Sequence, residues 1–231
     1  MNKLQEIIWA ASRRARQKRA AIFRSKFKLV ETTRVLDIGS ENGANINLVL
    51  EGTPVNPKNV CIADIEEKAL NDGREQFGYQ TLLLDESGIL PFADGEFDLV
   101  YCSSVIEHVT LSKSEIWKIT GEKEFRRAAW ENQTKFAAEI RRVGQTYFVQ
   151  TPNRGFLIES HSWLPFAGWL PRPLLLKILQ VSNKFWIKSA PPDFNLLDAR
   201  QMAELFPEAE IVVEKKFGSV KSVMAMKIRR T

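Results

Sequence analysis

Cysteine and histidine, the residues of disulfides and many metal sites, are scarce in this sequence. The 231 residues include two cysteines, Cys61 and Cys102, and two histidines, His108 and His161. Two cysteines do not make a disulfide framework, and both fall in apolar runs, so we expect free core thiols in a reducing compartment. No cysteines, histidines and acidic residues are grouped at metal-ligand spacing, so the sequence predicts no metal site.

Long apolar runs are also missing. No apolar stretch reaches the ~18 residues that a bilayer-spanning helix needs. In place of an uninterrupted apolar signal-peptide core, the N-terminus has Arg and Lys crowded over residues 13–19. These absences favour a cytoplasmic protein. No internal repeat divides the chain, and its 44% hydrophobic composition allows residues 1–231 to form a single domain with a full core.

Apolar runs and amphipathic segments alternate along the chain, which is typical of an α/β fold with a parallel sheet. Gly218 separates the last two apolar runs and predicts a terminal hairpin that adds an antiparallel strand. The predicted strands span residues 33–37, 60–64, 81–84, 97–102, 146–150, 210–217 and 220–229, and the predicted helices span residues 3–28, 43–52, 66–76, 123–143 and 198–206.

The most informative segment is RVLDIGSENGANI, residues 34–46, which reads as a buried strand, a glycine turn and the start of a helix at Gly43. In an open α/β sheet, nucleotide-like ligands bind at this first strand-to-helix turn, because glycine lets the backbone come close and the helix offers unpaired N–H groups. Residues 39–44 read GSENGA and lack the G-x-G-x-x-G pattern of nicotinamide dinucleotide sites.

Further polar residues follow later strands. Asp64 ends the apolar run VCIADI, 21 residues beyond Gly43, where a carboxylate can accept hydrogen bonds from ribose hydroxyls. Asp85 and Glu86 lie in the polar loop between the next two strands. The segment TYFVQTPNR, residues 146–154, is a strand that ends in a proline turn.

These motifs, in this order, resemble those of a class I S-adenosylmethionine-dependent methyltransferase of the methyltransferase type 11 kind. The resemblance covers residues 33–154, and the tail from residue 196 fits as a last helix and closing hairpin. It implies a three-layer, Rossmann-like, seven-stranded, mostly parallel sheet and methyl transfer from S-adenosylmethionine. The matching motifs are DIGSENG, the acidic strand end Asp64, LPFADGEFDLV, Glu107-His108-Val109 and EIRRVGQTYFVQTPN.

At the methionine end of the cofactor, the resemblance places residues of the glycine turn and of the fourth strand. Asp37 and Gly39 would border the methionine moiety, with Ser40 in the same turn. Gly43 would open the adjoining helix, and Ser103 would face the methionine end from the fourth strand.

At the nucleoside end, the resemblance assigns Asp64 to the ribose hydroxyls and Ile65 to the adenine face. Asp85 or Glu86 would accept a hydrogen bond from the adenine amino group.

His108 and His161 are the candidate catalytic residues. An imidazole with an ordinary pKa near ~6.5 can remove a proton from an acceptor hydroxyl at neutral pH. The alternative for each is a structural role: His108 would hydrogen-bond a neighbouring loop, and His161 would orient the substrate or hold its own segment.

Two regions exceed what a minimal methyltransferase needs. Residues 1–34 carry ten Lys or Arg against Glu6 and Glu31, a net charge of +8, with helical apolar spacing. They predict a basic N-terminal helical segment, residues 1–32, which either covers the sheet or lies on anionic lipid. Residues 155–195, with three tryptophans and four phenylalanines, predict a helical lid insertion over the substrate entrance.

The acceptor is the least determined part of the reaction. The string TPNRGFLIESHSWLPFAGWLP resembles a bacterial methyltransferase subgroup associated with glycan or glycolipid synthesis, which implies a small-molecule or glycolipid acceptor. Together with the basic helix, the insertion also implies peripheral association with the inner membrane face. The sequence does not predict an oligomeric state.

Two other function classes remain open. A non-catalytic methyltransferase fold is supported by Glu41, which occupies the middle glycine position of the D-x-G-x-G-x-G pattern. A nucleic-acid methyltransferase is supported by the basic N-terminus. It is disfavoured because Thr151-Pro152-Asn153 is not the Asn/Asp-Pro-Pro-aromatic motif of base amino methylation, and because no recognition motif accompanies the charge.

Overall fold

A computed structural model describes residues 3–39, 41–85, 87–112, 115–157, 162–186 and 188–229. His161, Ser40 and Glu86 lie outside the described residues. The strands are β1 (Val35–Ile38), β2 (Val60–Asp64), β3 (Gln80–Leu83), β4 (Phe97–Ser103), β5 (Gly144–Pro152), β6 (Glu210–Lys216) and β7 (Ser219–Lys227). The helices are α1 (Lys3–Lys26), α2 (Ala44–Leu50), α3 (Glu67–Phe77), α4 (Glu122–Val143), α5 (Arg172–Ser182) and α6 (Ala199–Leu205).

The seven strands form one sheet in the order β3-β2-β1-β4-β5-β7-β6. Strands β1 to β5 pair in parallel, β7 runs antiparallel to β5, and β6 and β7 form the terminal hairpin. This confirms the predicted α/β class and its antiparallel hairpin. The strand order reverses between β1 and β4, and ligands of open α/β sheets bind at the carboxyl ends of the strands on either side of such a point.

The sheet has an apolar cluster on each face, which makes the three layers. Alternate residues of a strand point to opposite faces, so Val35 joins one cluster while Leu36 joins the other. Helices α4 and α6 pack on the Leu36 face, and α1, α2 and α3 pack on the Val35 face. Both faces are covered, as parallel strands require.

Helix α1 is held to the sheet by its C-terminal half. The Phe23 ring is fully buried, with its centroid 5.7 Å from that of Tyr101 and 5.6 Å from that of Phe148. Arg24 donates to the carbonyl of Leu48 at 2.9 Å, at the end of α2. Some of the basic residues are thus structural, and Arg19 also pairs with Glu214 at 3.4 Å.

The insertion folds around an apolar cluster of its own. It contains a 3-10 helix, Ala167–Trp169, and α5, and its cluster includes Leu179 and Phe194. Arg172 is 2% exposed, and its guanidinium donates to the carbonyls of Ile119 and Pro192 at 2.7 and 3.1 Å. These bonds attach α5 to the loop before α4.

Two local features differ from the sequence prediction. His108 lies outside the predicted helices, but it ends a three-residue 3-10 helix, Ile106–His108; α4 begins at Glu122. Strand β5 is longer than predicted, because Gly144 pairs with Phe97 at one end and Pro152 pairs with Ser222 at the other. Pairing with neighbours, which a local pattern does not contain, decides where this strand ends.

Candidate active site

The glycine turn between β1 and α2 has a left-handed backbone at every second residue. The φ angles are 68° at Gly39, 53° at Glu41 and 74° at Gly43. A Cβ atom on Gly39 would lie 2.3 Å from Cγ2 of Val105, so only glycine fits there. This contact also brings the turn against the segment that leads from β4 to the 3-10 helix at His108.

Glu41 adopts the conformation that glycine adopts at low cost. Its side chain is exposed, so the residue departs from the family pattern without being buried in the turn. A left-handed backbone costs a non-glycine residue about 1–2 kcal/mol. The strained residue contacts Asp64 directly, because the Glu41 N–H donates a hydrogen bond to the Asp64 carboxylate at 2.7 Å.

We expect Glu41→Gly to raise the free energy of unfolding by about 0.5–1 kcal/mol, since released strain exceeds the entropy that glycine adds to the unfolded chain. Chemical denaturation measures this. Glu41→Ala is the matched control, because it removes the carboxylate but keeps a Cβ in the left-handed region. If the Glu41→Gly and Glu41→Ala variants had equal stability, backbone strain at residue 41 would not be what destabilises the wild-type protein.

Asp64, at the end of β2, joins its strand to the glycine turn. Its side chain is 8% exposed. Oδ2 accepts from the Glu41 N–H, and Oδ1 accepts from the N–H groups of Ile65 and Glu66 at 2.7 and 3.1 Å. A carboxylate has about four acceptor positions, so Asp64 retains capacity for a ligand hydroxyl while it holds the turn.

Asp37 is buried at the end of β1 with an unsatisfied oxygen. The residue is 2% exposed, and its Oδ2 has no hydrogen-bond partner among the described residues. Burial, and then the nearby charge of Asp64, raise the pKa of the Asp37 carboxyl well above its usual value. Two close carboxylates and an unused acceptor fit a ligand that carries positive charge and hydrogen-bond donors.

Of the residues assigned to the adenine end, the structure describes Ile65 and Asp85. Ile65 follows Asp64 directly and is 46% exposed, which leaves an apolar face for a flat ring. The Asp85 carboxylate accepts from the N–H and hydroxyl of Ser87 at 2.9 and 2.5 Å, and these bonds lower the pKa of Asp85. Asp85 is therefore already engaged within its own loop, a contact that the sequence did not indicate.

Ser103 is tied to the neighbouring strand. Its hydroxyl donates to Oε1 of Gln150 at 2.8 Å, and that of Ser104 donates to the same oxygen at 3.3 Å. Gln150 pairs with Ser103 across β4 and β5 and is 1% exposed. Sequence reasoning missed Gln150, since a lone glutamine in an apolar strand carries no distinctive signal.

The 3-10 helix after β4 connects to the end of the insertion. The buried Glu107 accepts a hydrogen bond from the Thr151 hydroxyl at 3.0 Å, and its carbonyl accepts from the Asn195 N–H at 2.8 Å. His108 Nδ1 lies 3.1 Å from Oδ1 of Asp193, and each side chain is about one-third exposed. Asp193 was also missed; it lies 85 residues beyond His108, so only the fold reveals the pair.

The cysteines and the acidic groups form no other candidate centre in the described part of the chain. Cys61 and Cys102 are buried free thiols, and burial raises the pKa of Cys61 to about 11. Within the described ranges, no three His, Cys, Asp or Glu side chains are grouped to hold a metal ion. None of the described helices is long and apolar enough to cross a membrane.

The family comparison identifies the segment that contains the glycine turn, Asp64 and His108. Residues 36–146 match the model of the family described as "Methyltransferase domain". No curated protein matches the chain.

Solved structures show the same fold at low sequence identity. Magnesium protoporphyrin IX methyltransferase from Synechocystis PCC 6803, solved with bound S-adenosylhomocysteine, is 13% identical, with a TM-score of 0.56 over 98% of this chain and 88% of that one. An S-adenosylmethionine-dependent methyltransferase from Mesorhizobium loti is 12% identical, with a TM-score of 0.52 over 90% and 96%. A putative methyltransferase from Haloferax volcanii, in complex with the activator Trm112, is 14% identical, with a TM-score of 0.51 over 90% and 76%.

The protein thus has the Rossmann-like fold of class I methyltransferases, and residues 36–146 are similar to the methyltransferase domain family. The cofactor of this class is S-adenosylmethionine, in agreement with the sequence prediction.

Proposed function

We propose that this protein transfers a methyl group from S-adenosylmethionine to a small or amphipathic acceptor, with a glycan or glycolipid as the favoured class. The observation that carries the proposal is the pair Asp37 and Asp64 beside the left-handed turn. The Asp64 carboxylate and the Asp37 oxygen that lacks a hydrogen-bond partner among the described residues match a cationic ligand with ribose and ammonium donors. Few other nucleotide-like ligands are cationic.

The cofactor supplies an electrophilic methyl group on a sulfonium. The chain would bind it through Asp64 at the ribose hydroxyls and through Asp37 and Gly39 at the methionine part. Ile65 would cover the adenine, with Asp85 or Glu86 at the amino group. Alignment of the acceptor with the methyl group is the main catalytic task. The packing of Gly39 on Val105 supports this alignment, because the contact joins the cofactor-binding turn to the segment that carries His108.

His108 would remove the acceptor proton. The Asp193 carboxylate beside Nδ1 orients the ring and favours the tautomer in which Nε2 accepts a proton. Asp193 would also stabilise the imidazolium that forms. His161 is the second candidate and stays a prediction.

Isothermal titration calorimetry tests the cofactor site. We expect S-adenosylmethionine and S-adenosylhomocysteine to bind with a Kd on the order of micromolar. Absence of binding would refute the proposal and favour a non-catalytic fold.

Peripheral association with anionic membrane is a second part of the proposal, and the insertion supports it. Residues 162–192 contain no acidic residue, and this part of the insertion carries exposed apolar side chains together with the exposed Lys177 and Lys184. Phe185 is 73% exposed, Val181 57% and Trp169 55%. Apolar side chains that enter the headgroup layer, with lysines at its surface, are the two signals that reversible membrane binding needs.

We expect the protein to sediment with anionic vesicles and not with neutral ones, and high salt to release it because surface charges are screened within ~8 Å at physiological ionic strength. Neutralising Arg13, Arg14, Arg16 and Lys18 together should reduce sedimentation; Arg19 is kept because it pairs with Glu214. Phe185→Ser tests the insertion. A wild-type protein that stays in the supernatant at low salt would contradict membrane association.

A further inference from the structure

A shallow cleft of about 40 Å³ lies between the insertion and the start of α4. Its apolar lining includes Phe125 and Phe194, both largely buried. The polar lining includes Arg126 from α4 and Arg154, two residues beyond the end of β5. The volume exceeds what one water molecule needs and admits a small oxyanion.

Arg154 is held in place by its backbone, while its side chain faces the cleft. Its N–H donates to the carbonyl of Leu197 at 3.1 Å, and its carbonyl lies against Gly168 of the insertion. Among the described residues, its guanidinium makes no hydrogen bond or ion pair. Partial burial, and then the nearby charge of Arg126, lower the pKa of Arg154.

The carboxylate of Glu122, which lines this cleft, already has two partners. Glu122 pairs with Nε of Arg126 and also accepts a hydrogen bond from the backbone N–H of Arg172 at 2.7 Å. The Arg172 guanidinium is bonded to backbone carbonyls. The charge of Asp198 also acts on Arg154, but its carboxylate caps the start of α6. Among the described residues, Arg154 therefore has no carboxylate paired with it.

We propose that this cleft binds an anionic group of the acceptor, a phosphate or a carboxylate, through Arg154 and Arg126, with the rest of the acceptor outside the cleft. Guanidinium groups bind such oxyanions through paired N–H donors. This inference rests on the proposed methyl transfer, since it names the acceptor class of that reaction.

The position of the cleft connects it to the candidate base. Asn195 lines the cleft, and its backbone N–H donates to the carbonyl of Glu107, the residue before His108. An acceptor anchored by its anionic group would thus extend toward the His108 and Asp193 pair. The acceptor is an amphipathic molecule with an oxyanion and a methylatable group a short distance away.

Binding of phenyl phosphate to the full-length protein, measured by calorimetry, tests the site. We expect Arg154→Gln to weaken binding at least tenfold and Arg126→Gln to weaken it less, because Glu122 already neutralises part of its charge. Arg127→Gln is the matched control: Arg127 is exposed on the same helix and should not affect binding. Benzyl alcohol, a neutral analogue, should bind at least tenfold more weakly than phenyl phosphate.

S-adenosylhomocysteine affinity is measured on the same samples and separates the two proposals. If the wild-type protein does not bind S-adenosylhomocysteine, the proposed methyl transfer is refuted, whatever the result with phenyl phosphate. If binding of S-adenosylhomocysteine is normal but Arg154→Gln binds phenyl phosphate like wild type, or benzyl alcohol binds equally well, the anionic site is wrong. Phenylacetate in place of phenyl phosphate shows whether the site prefers a carboxylate or a phosphate.

Discussion

Replacing Asp64 by alanine is expected to weaken S-adenosylmethionine binding by about 1–3 kcal/mol, roughly tenfold to a hundredfold, because a buried pair of ribose hydroxyls loses its charged acceptor. The structure adds a second cost. Asp64 also accepts from three backbone N–H groups, those of Glu41, Ile65 and Glu66. We therefore expect a loss of stability alongside the loss of affinity.

The two effects can be separated. Asp64→Asn keeps an acceptor for the backbone but removes the charge, so it should retain more stability than Asp64→Ala while still losing affinity. Glu75→Ala, on the exposed side of α3, is the control and should change neither. Calorimetry gives the affinity and chemical denaturation the stability. An Asp64→Ala variant with wild-type affinity would rule out the ribose assignment.

His108→Ala is expected to lower turnover by about 10²–10⁴, the usual contribution of a general base, with S-adenosylhomocysteine affinity nearly unchanged. Asp193→Asn should lower turnover less, because the imidazole remains but its orientation and its charged form lose support. The measurement is the initial rate of labelled methyl transfer from S-adenosylmethionine into a glycolipid extract.

The pH profile distinguishes a base from a structural contact. A general base gives the rate a pH dependence, and this dependence should be absent in His108→Ala. His161→Ala is the parallel test of the second candidate. Full turnover in the His108 variant would assign that residue to loop packing, and full turnover in both variants would mean that the acceptor needs no general base.

The sequence predicted the sheet well, because each strand carries its own local signal. Strand β2 was predicted over residues 60–64 and found there, and the hairpin was predicted from Gly218, which adopts φ 76°. Apolar runs bounded by turn residues depend on nearby residues alone, so a single sequence contains them. The ordered motifs around the glycine turn also predicted the fold family.

The contacts between distant segments came only from the tertiary structure. The carboxylate beside His108 belongs to Asp193, Gln150 binds two serines across the sheet, and Asp85 turns back to Ser87. None of these pairs has a periodic signal, since side chains of loops and strand ends meet only after the sheet has brought them together.

The sequence by itself determined the class of this protein: a parallel sheet, a glycine turn followed by an acidic strand end, and an apolar insertion after the fifth strand. The tertiary structure alone decided that Asp37 has an oxygen without a hydrogen-bond partner among the described residues and that Arg126 and Arg154 share one cleft. The reason is physical. Local propensity and hydrophobic period act over a few residues, whereas burial and charge proximity depend on packing between segments far apart in the chain.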